Sequence, residues 1–190
     1  SNLDAKLRIK MRKDIKEIQH RIGITSIYVT HDQEEALELS DRIAVMEKGN
    51  VMQLGSPEDI YDRPENVFTA NFIGRINQLE GEVRQGTFYA QGTLPIPLAG
   101  LTRPDGPVIV CFRPEDVIIG GEGEWAADPQ SFKGVVQEAS YRGYFIQGQV
   151  ALGNGVEIVA DWRKRIAEGT ELTLKIEKYY LYDKESISVS

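Results

Sequence analysis

Apolar positions near the start of the chain recur every three or four residues. Leu7, Met11, Ile15 and Ile18 fall on one stripe, which predicts an amphipathic helix over residues 3–22. Asp4 stands where a carboxylate caps free backbone N–H groups, and Gly23 stands where a helix stops. Lys6, Arg8, Lys10, Lys13 and Lys16 lie off the stripe and read as a solvated face. Residues 25–30, "TSIYVT", are short, β-branched and bounded by turn formers, the pattern of a buried strand. Asp32 then offers an N-cap, with Glu35 three residues on as in a capping box. His31 therefore falls at a strand-to-helix junction. Residues 41–55 read as two strands joined at Gly49-Asn50, a hairpin signal. Pro57 opens a short helix that Pro64 ends, and residues 65–74 give another that Gly74 closes.

The period changes at that point. From Arg75 onward the chain alternates apolar and polar residues in short runs: "QLEGEVR", "TFYAQ", "PVIVCFR", "KGVVQEASYR", "YFIQGQVAL", "VEIVADW" and "ELTLKIEK". In the last of these, Leu172, Leu174 and Ile176 point one way, while Thr173, Lys175 and Glu177 point the other. Glycine and proline clusters punctuate the runs, as in a small barrel or sandwich. The expected organisation is α+β, with one unit over residues 1–74 and an all-β unit over residues 75–190.

Composition narrows the function classes. The chain has 190 residues, 41% of them hydrophobic and 27% charged, with a formal net charge of −7. An acidic balance weighs against nucleic acid as a partner, since phosphate binding needs a basic surface. The single cysteine, Cys111, lies in the apolar run "VIVCF". It makes no internal disulfide and no metal cluster, and reads as a buried reduced thiol. No metal site is expected. No apolar run is long enough to span a bilayer, so a cytoplasmic protein is expected. His20, on the basic helix, reads as a surface residue.

His31 is the candidate for chemistry. In an open α/β sheet, the residue after a strand is delivered to the edge where ligands bind. A histidine there can donate to a phosphate oxygen or position an attacking water. The plainer alternative is a histidine that caps the next helix or bonds neighbouring backbone.

The residues around it carry a resemblance. "SNLDAKLR", followed by "VTHDQEEALELSDRIAVMEKGNVMQLGSPEDIYDRPENVFTANFIG", resembles the nucleotide-binding subunits of ABC-type importers. The match is to the branch with an extra C-terminal β domain. The "FIGRIN" segment after "FTAN" is most similar to polyamine importers, and iron and phosphonate importers share most of it. The resemblance implies that residues 1–74 are part of a RecA-like α/β nucleotide-binding domain, entered at its D-loop. His31 then matches the switch histidine that contacts the γ-phosphate and orients the hydrolytic water. Asp4 matches the D-loop aspartate, at the dimer interface that couples two ATP sites. Gln33, Glu34 and Glu35 read as a solvated helix face. The β half resembles the OB-like TOBE module of the same subunits, through "CFRPEDVII" and through the paired strands around Tyr141 and Gly143. Arg113 and Glu115 there read as an ion pair or turn. Tyr179, Tyr180 and Tyr182 read as core and rim.

The intact subunit would use ATP and Mg²⁺, form a homodimer, and act with membrane permease subunits and a solute-binding protein at the inner face of the membrane. The departures from the pattern matter as much. No glycine is followed by Lys and then Ser or Thr, so the phosphate-cradling loop is absent. The "LSGGQ" signature and the acidic strand end for Mg²⁺ are absent too. The chain, opening without methionine, reads as an internal piece of a longer protein and is expected to be inactive with no cofactor bound. Its strands near Ile27 and Ile43, expected as inner strands of a parallel sheet, would have open edges and favour association with a second copy. A second reading is an OB-like module binding a small oxyanion or sugar, although residues 75–190 hold no dense basic or Ser/Thr cluster.

Overall fold

A computed structural model describes residues 2–120, 124, 125 and 127–184, with the backbone alone for residues 2–6, 8 and 9. The chain divides into two compact units, Ser1–Gly74 and Arg75–Ser190.

The first unit opens with helix α1, Asn2–Ile22, followed by α2, Gln33–Leu39. An antiparallel hairpin of β1, Ile43–Glu47, and β2, Asn50–Gly55, comes next. Two short helices, α3, Pro57–Asp62, and α4, Val67–Phe72, complete it. The caps follow the sequence. Ser56 and Asp59 form a capping box on α3 with Pro57 in the first turn, and Asn66 caps α4 by accepting from the Thr69 N–H. Ile43, Val45, Ile60 and Ile73 make a small buried core.

Three expectations fail here, each for a physical reason. Residues 24–30 are not a strand, and Ile27 and Val29 are 93% and 91% exposed. A strand needs a partner for its N–H and C=O groups, and among the described residues none lies beside this segment. For the same reason no parallel sheet forms among the described residues: Ile43 sits in the β1–β2 hairpin. Helix α1 starts at Asn2, so Asp4 lies inside it rather than capping it. Its apolar stripe faces solvent, with Leu7 and Met11 each about half exposed, while Arg12 is buried.

The second unit is all β. One five-stranded sheet runs in the order β10-β9-β8-β11-β7, built from β7 (Val117–Ile119), β8 (Phe132–Tyr141), β9 (Ile146–Gly153), β10 (Val156–Trp162) and β11 (Glu171–Ile176). The other runs β12-β6-β3-β4-β5, from β3 (Asn77–Arg84), β4 (Thr87–Ala90), β5 (Leu94–Ile96), β6 (Gly106–Phe112) and β12 (Tyr180–Asp183). All pairings are antiparallel. Alternation decides which side is buried: Leu172, Leu174 and Ile176 are in the core, as their period of two requires. The seven sequence runs all became strands. The three-residue β5 and β7 are too short to show a period. In β12, Tyr182 is buried, and the neighbouring Tyr179 hydroxyl donates to the Ala99 carbonyl at 2.9 Å, the core-and-rim arrangement.

Asn77 joins the sheets. Its amide donates to the Val159 carbonyl at 2.8 Å and accepts from the Val159 N–H at 2.7 Å, so one buried side chain on β3 satisfies both backbone groups of a β10 residue. Asn77→Ala is expected to destabilise this unit by about 2 kcal/mol, because both groups lose their partner away from water. A urea titration measures it, and a cost below about 0.5 kcal/mol would remove the clamp from the account.

Cys111 lies wholly inside β6, and burial pushes its thiol up to about 12. At pH 8 the thiolate fraction is about one in ten thousand. The folded protein is expected to leave a disulfide reagent unreacted while the unfolded chain titrates one thiol. Rapid labelling of the folded protein would contradict this.

Candidate functional site

The candidate site lies where α1 meets the start of α2. Asp32 ends the extended segment and caps α2, its Oδ1 accepting from the Glu35 N–H at 3.2 Å. The cap is one-sided, because the Glu35 carboxylate is used elsewhere. Its Oε2 accepts from the Thr30 hydroxyl at 2.9 Å and from the Tyr28 hydroxyl at 3.2 Å. That bond, more than any other influence, pushes the Tyr28 phenol above its ordinary range. Thr30 Oγ1 in turn accepts from the Asp32 N–H at 2.9 Å. The residues on either side of His31 are thus tied to one another and to the first turn of α2.

Arg12 reaches this knot from α1. One terminal nitrogen lies 3.2 Å from Asp32 Oδ2 and 3.5 Å from Glu35 Oε1, and the other lies 3.2 Å from Glu38 Oε2. Burial opposes its charge, but the hydrogen bond to Glu38 and the fields of Asp32, Glu35 and Glu38 outweigh it and raise its pKa. A second α1 cation, Lys16, donates to the Glu38 carbonyl at 2.9 Å, at the end of α2 where the helix dipole is negative.

His31 is exposed at a bend and has no hydrogen-bond partner among the described residues. The plainer expectation for it, capping a helix or bonding backbone, is not what the geometry gives, since Asp32 does the capping. The ring stands at the lip of an open groove of about 870 Å³, lined in part by Ile24, Ile27, Val29, Ala36 and Phe72.

Gln33 departs from its reading as a solvated residue. Its side-chain amide donates to the Phe72 carbonyl, and its Oε1 accepts from the Gly74 N–H at 2.9 Å. Residue 33 therefore holds the last turn of the unit. Of the three residues read as a solvated face, Glu34 alone is exposed. Asp4 lies outside the residues whose side chains are described. In the second unit Arg113 is buried, and its N–H donates to Asp116 Oδ2 at 3.3 Å in the turn at Pro114–Asp116. His20 is exposed, as expected.

Sequence reasoning missed Arg12. The signal was available in principle: Arg12 lies off the apolar stripe, and Asp32, Glu35 and Glu38 recur at spacings of three across α2 and its cap. Only the packing of the two helices shows that they meet.

The chain is similar to known proteins. The TOBE domain family matches residues 110–179. The Fe(3+) ions import ATP-binding protein FbpC of Fusobacterium nucleatum is 40% identical over 186 residues, covering 94% of this chain and 48% of that protein. The spermidine/putrescine import ATP-binding protein PotA of Marinobacter nauticus is 38% identical over 170 residues, covering 84% of this chain and 44% of that protein. The chain thus spans about half the length of the curated relatives it matches. Among solved structures, the cytoplasmic molybdate-binding protein ModG with molybdate bound matches with a TM-score of 0.46 at 16% identity, over 56% of this chain and 95% of that one. That likeness is too distant to carry an argument.

Proposed function

Because this chain belongs to the family of ATP-binding subunits of ABC-type importers that carry a TOBE domain, we propose that it supplies the switch-histidine side of such a subunit's ATP site together with its β domain. The observation that carries the reading is His31 itself: an exposed imidazole whose neighbours on both sides are tied down. A group meant to meet a ligand needs a free ring on a fixed backbone.

The residues of this chain do not fit ATP on their own. Its sequence has no glycine-rich loop ending in Lys and Ser or Thr to cradle phosphates. Among the described residues no cluster of three carboxylate, histidine or cysteine side chains would hold a metal ion. We assign no hydrolytic step to the chain alone and propose that it is inactive by itself. In the longer subunit, His31 donates to a γ-phosphate oxygen and orients the attacking water, and Asp4 lies at the interface between two subunits. The apolar groove beside residues 24–30 is where the rest of the nucleotide-binding domain packs, a reading supported by the share of the relatives' length that this chain leaves unmatched. The subunit works as a homodimer with membrane permease subunits and a solute-binding protein, peripheral to the inner face of the membrane, and uses ATP with Mg²⁺. The β domain adds dimer contacts and regulation. Among the described residues no helix is long and apolar enough to cross a membrane.

The finer proposal, that the solute is a polyamine, rests on the "FIGRIN" segment. Uptake of spermidine against uptake of ferric ion by the assembled importer decides it.

The function is tested by completing the subunit. The chain is mixed or fused with the unmatched half of the Fusobacterium nucleatum relative, and ATP turnover is measured. Turnover is expected in the combination and not in the chain alone. Turnover by the chain alone, or none in a folded combination, would overturn the reading.

A further inference from the structure

Arg12 belongs to no motif that the sequence singled out, yet among the described residues it is the one charged side chain of the first unit that is buried. We propose that Arg12 is a positioning residue for His31, holding the start of α2 so that the imidazole meets its ligand at a fixed place. The inference rests on the functional reading of His31 given above and adds the group that sets its geometry.

The argument is one of connectivity. His31 is bounded by Thr30 and Asp32. The Thr30 hydroxyl is bonded on one side to the Asp32 N–H and on the other to Glu35, and Asp32 caps the Glu35 N–H. The loop from residue 30 to 35 is therefore closed on itself, and Gln33 ties it to Phe72 and Gly74 at the end of the unit. Arg12 adds the tie to α1. It spans Asp32, the cap of α2, and Glu35 and Glu38, three acceptors spaced three residues apart, from a second helix. A guanidinium suits this task because it is planar and presents several donors in a rigid fork. Its Nε is buried with no partner among the described residues, so the contact falls on the two terminal nitrogens.

The charge pattern agrees with a positioning role. Three carboxylates on one face of α2 and its cap would repel one another if no cation stood among them. With Arg12 present they become its acceptors. Alternative cations are poorly placed: Lys16 is already bonded to the Glu38 carbonyl, further along α2. A lysine at position 12 would keep the charge but reach fewer oxygens, so it should restore the position only in part.

The test has one arm free of ATP turnover and one that uses it. In the chain as it stands, Arg12→Met is expected to speed hydrogen exchange of the Glu35 amide about tenfold and to shift the His31 imidazole resonances, with His20 unmoved. In the completed subunit, Arg12→Met is expected to lower kcat about tenfold while KM for ATP stays within about threefold, and Arg12→Lys to recover part of the loss. Asp32→Asn guards against simple unfolding. Asparagine still caps the helix but loses the charge that faces Arg12, so kcat should fall with the melting temperature nearly kept. Unchanged kcat in both Arg12→Met and Asp32→Asn, in a subunit that His31→Ala inactivates, would overturn this inference and leave the reading of His31 standing. Full turnover in His31→Ala would overturn both.

Discussion

His31→Ala is expected to reduce ATP turnover of the completed subunit about a hundredfold or more, with KM for ATP changed by no more than about threefold. The imidazole offers one N–H donor and one acceptor, which suits a group that bonds an anionic oxygen and aligns a water. Such contacts matter most as charge builds in the transition state, so their loss appears in kcat. A hundredfold corresponds to about 2.7 kcal/mol of barrier. The same replacement should leave stability within about 0.5 kcal/mol, because the ring is exposed and the bonds that shape its loop run through Thr30, Asp32 and Glu35. A thermal melt alongside the kinetics separates the two effects. Unchanged kcat, or a loss of turnover matched by a loss of fold, would remove the catalytic role.

Gly148→Ala is expected to cost the β unit about 3 kcal/mol or more. Gly148 lies in β9 between Ala139 of β8 and Ala160 of β10. A Cβ there would stand 2.0 Å from the Trp162 ring and 2.7 Å from the Glu138 carbonyl. Neither can give way easily: the indole is buried and the carbonyl is backbone within a paired strand. Gly81 on β3 is the same kind of position, with a Cβ placed 2.2 Å from the Tyr89 carbonyl and 2.6 Å from the Phe88 ring. For a unit of this size the melting temperature should fall by about 10 °C or more. Trp162 reports the transition directly through its fluorescence. Wild-type stability in Gly148→Ala would mean that the indole packs elsewhere.

The fold of the second unit was readable because each long strand carries its own period. "VEIVADW" alternates in the sequence and became β10 over those same residues. Close approaches such as Trp162 on Gly148, or Asn77 on Val159, join residues far apart in sequence, and no local pattern encodes them. The first unit was readable at Asp32, which caps α2 three residues on, and at Pro57, which opens α3. It was misread wherever burial depends on a partner. Residues 25–30 have strand chemistry and no strand beside them among the described residues, and the apolar stripe of α1 lies open while Arg12 is covered. Of the candidate site, His31 was singled out from its position before a helix cap and from its neighbours. Arg12 and the Gln33 clamp on Phe72 and Gly74 were missed because both act across helices.

The central claim is that His31 meets the terminal phosphate of ATP when the subunit is complete. Imidazole nitrogen resonances test it directly when this chain alone is labelled and mixed with the unmatched half, since the chain holds only two histidines and His20 on α1 serves as the internal reference. In the completed subunit, a non-hydrolysable ATP analogue with Mg²⁺ is expected to shift the His31 signals while ADP leaves them near their unliganded positions. Equal shifts with both nucleotides, or no shift with the analogue at saturation, would contradict it.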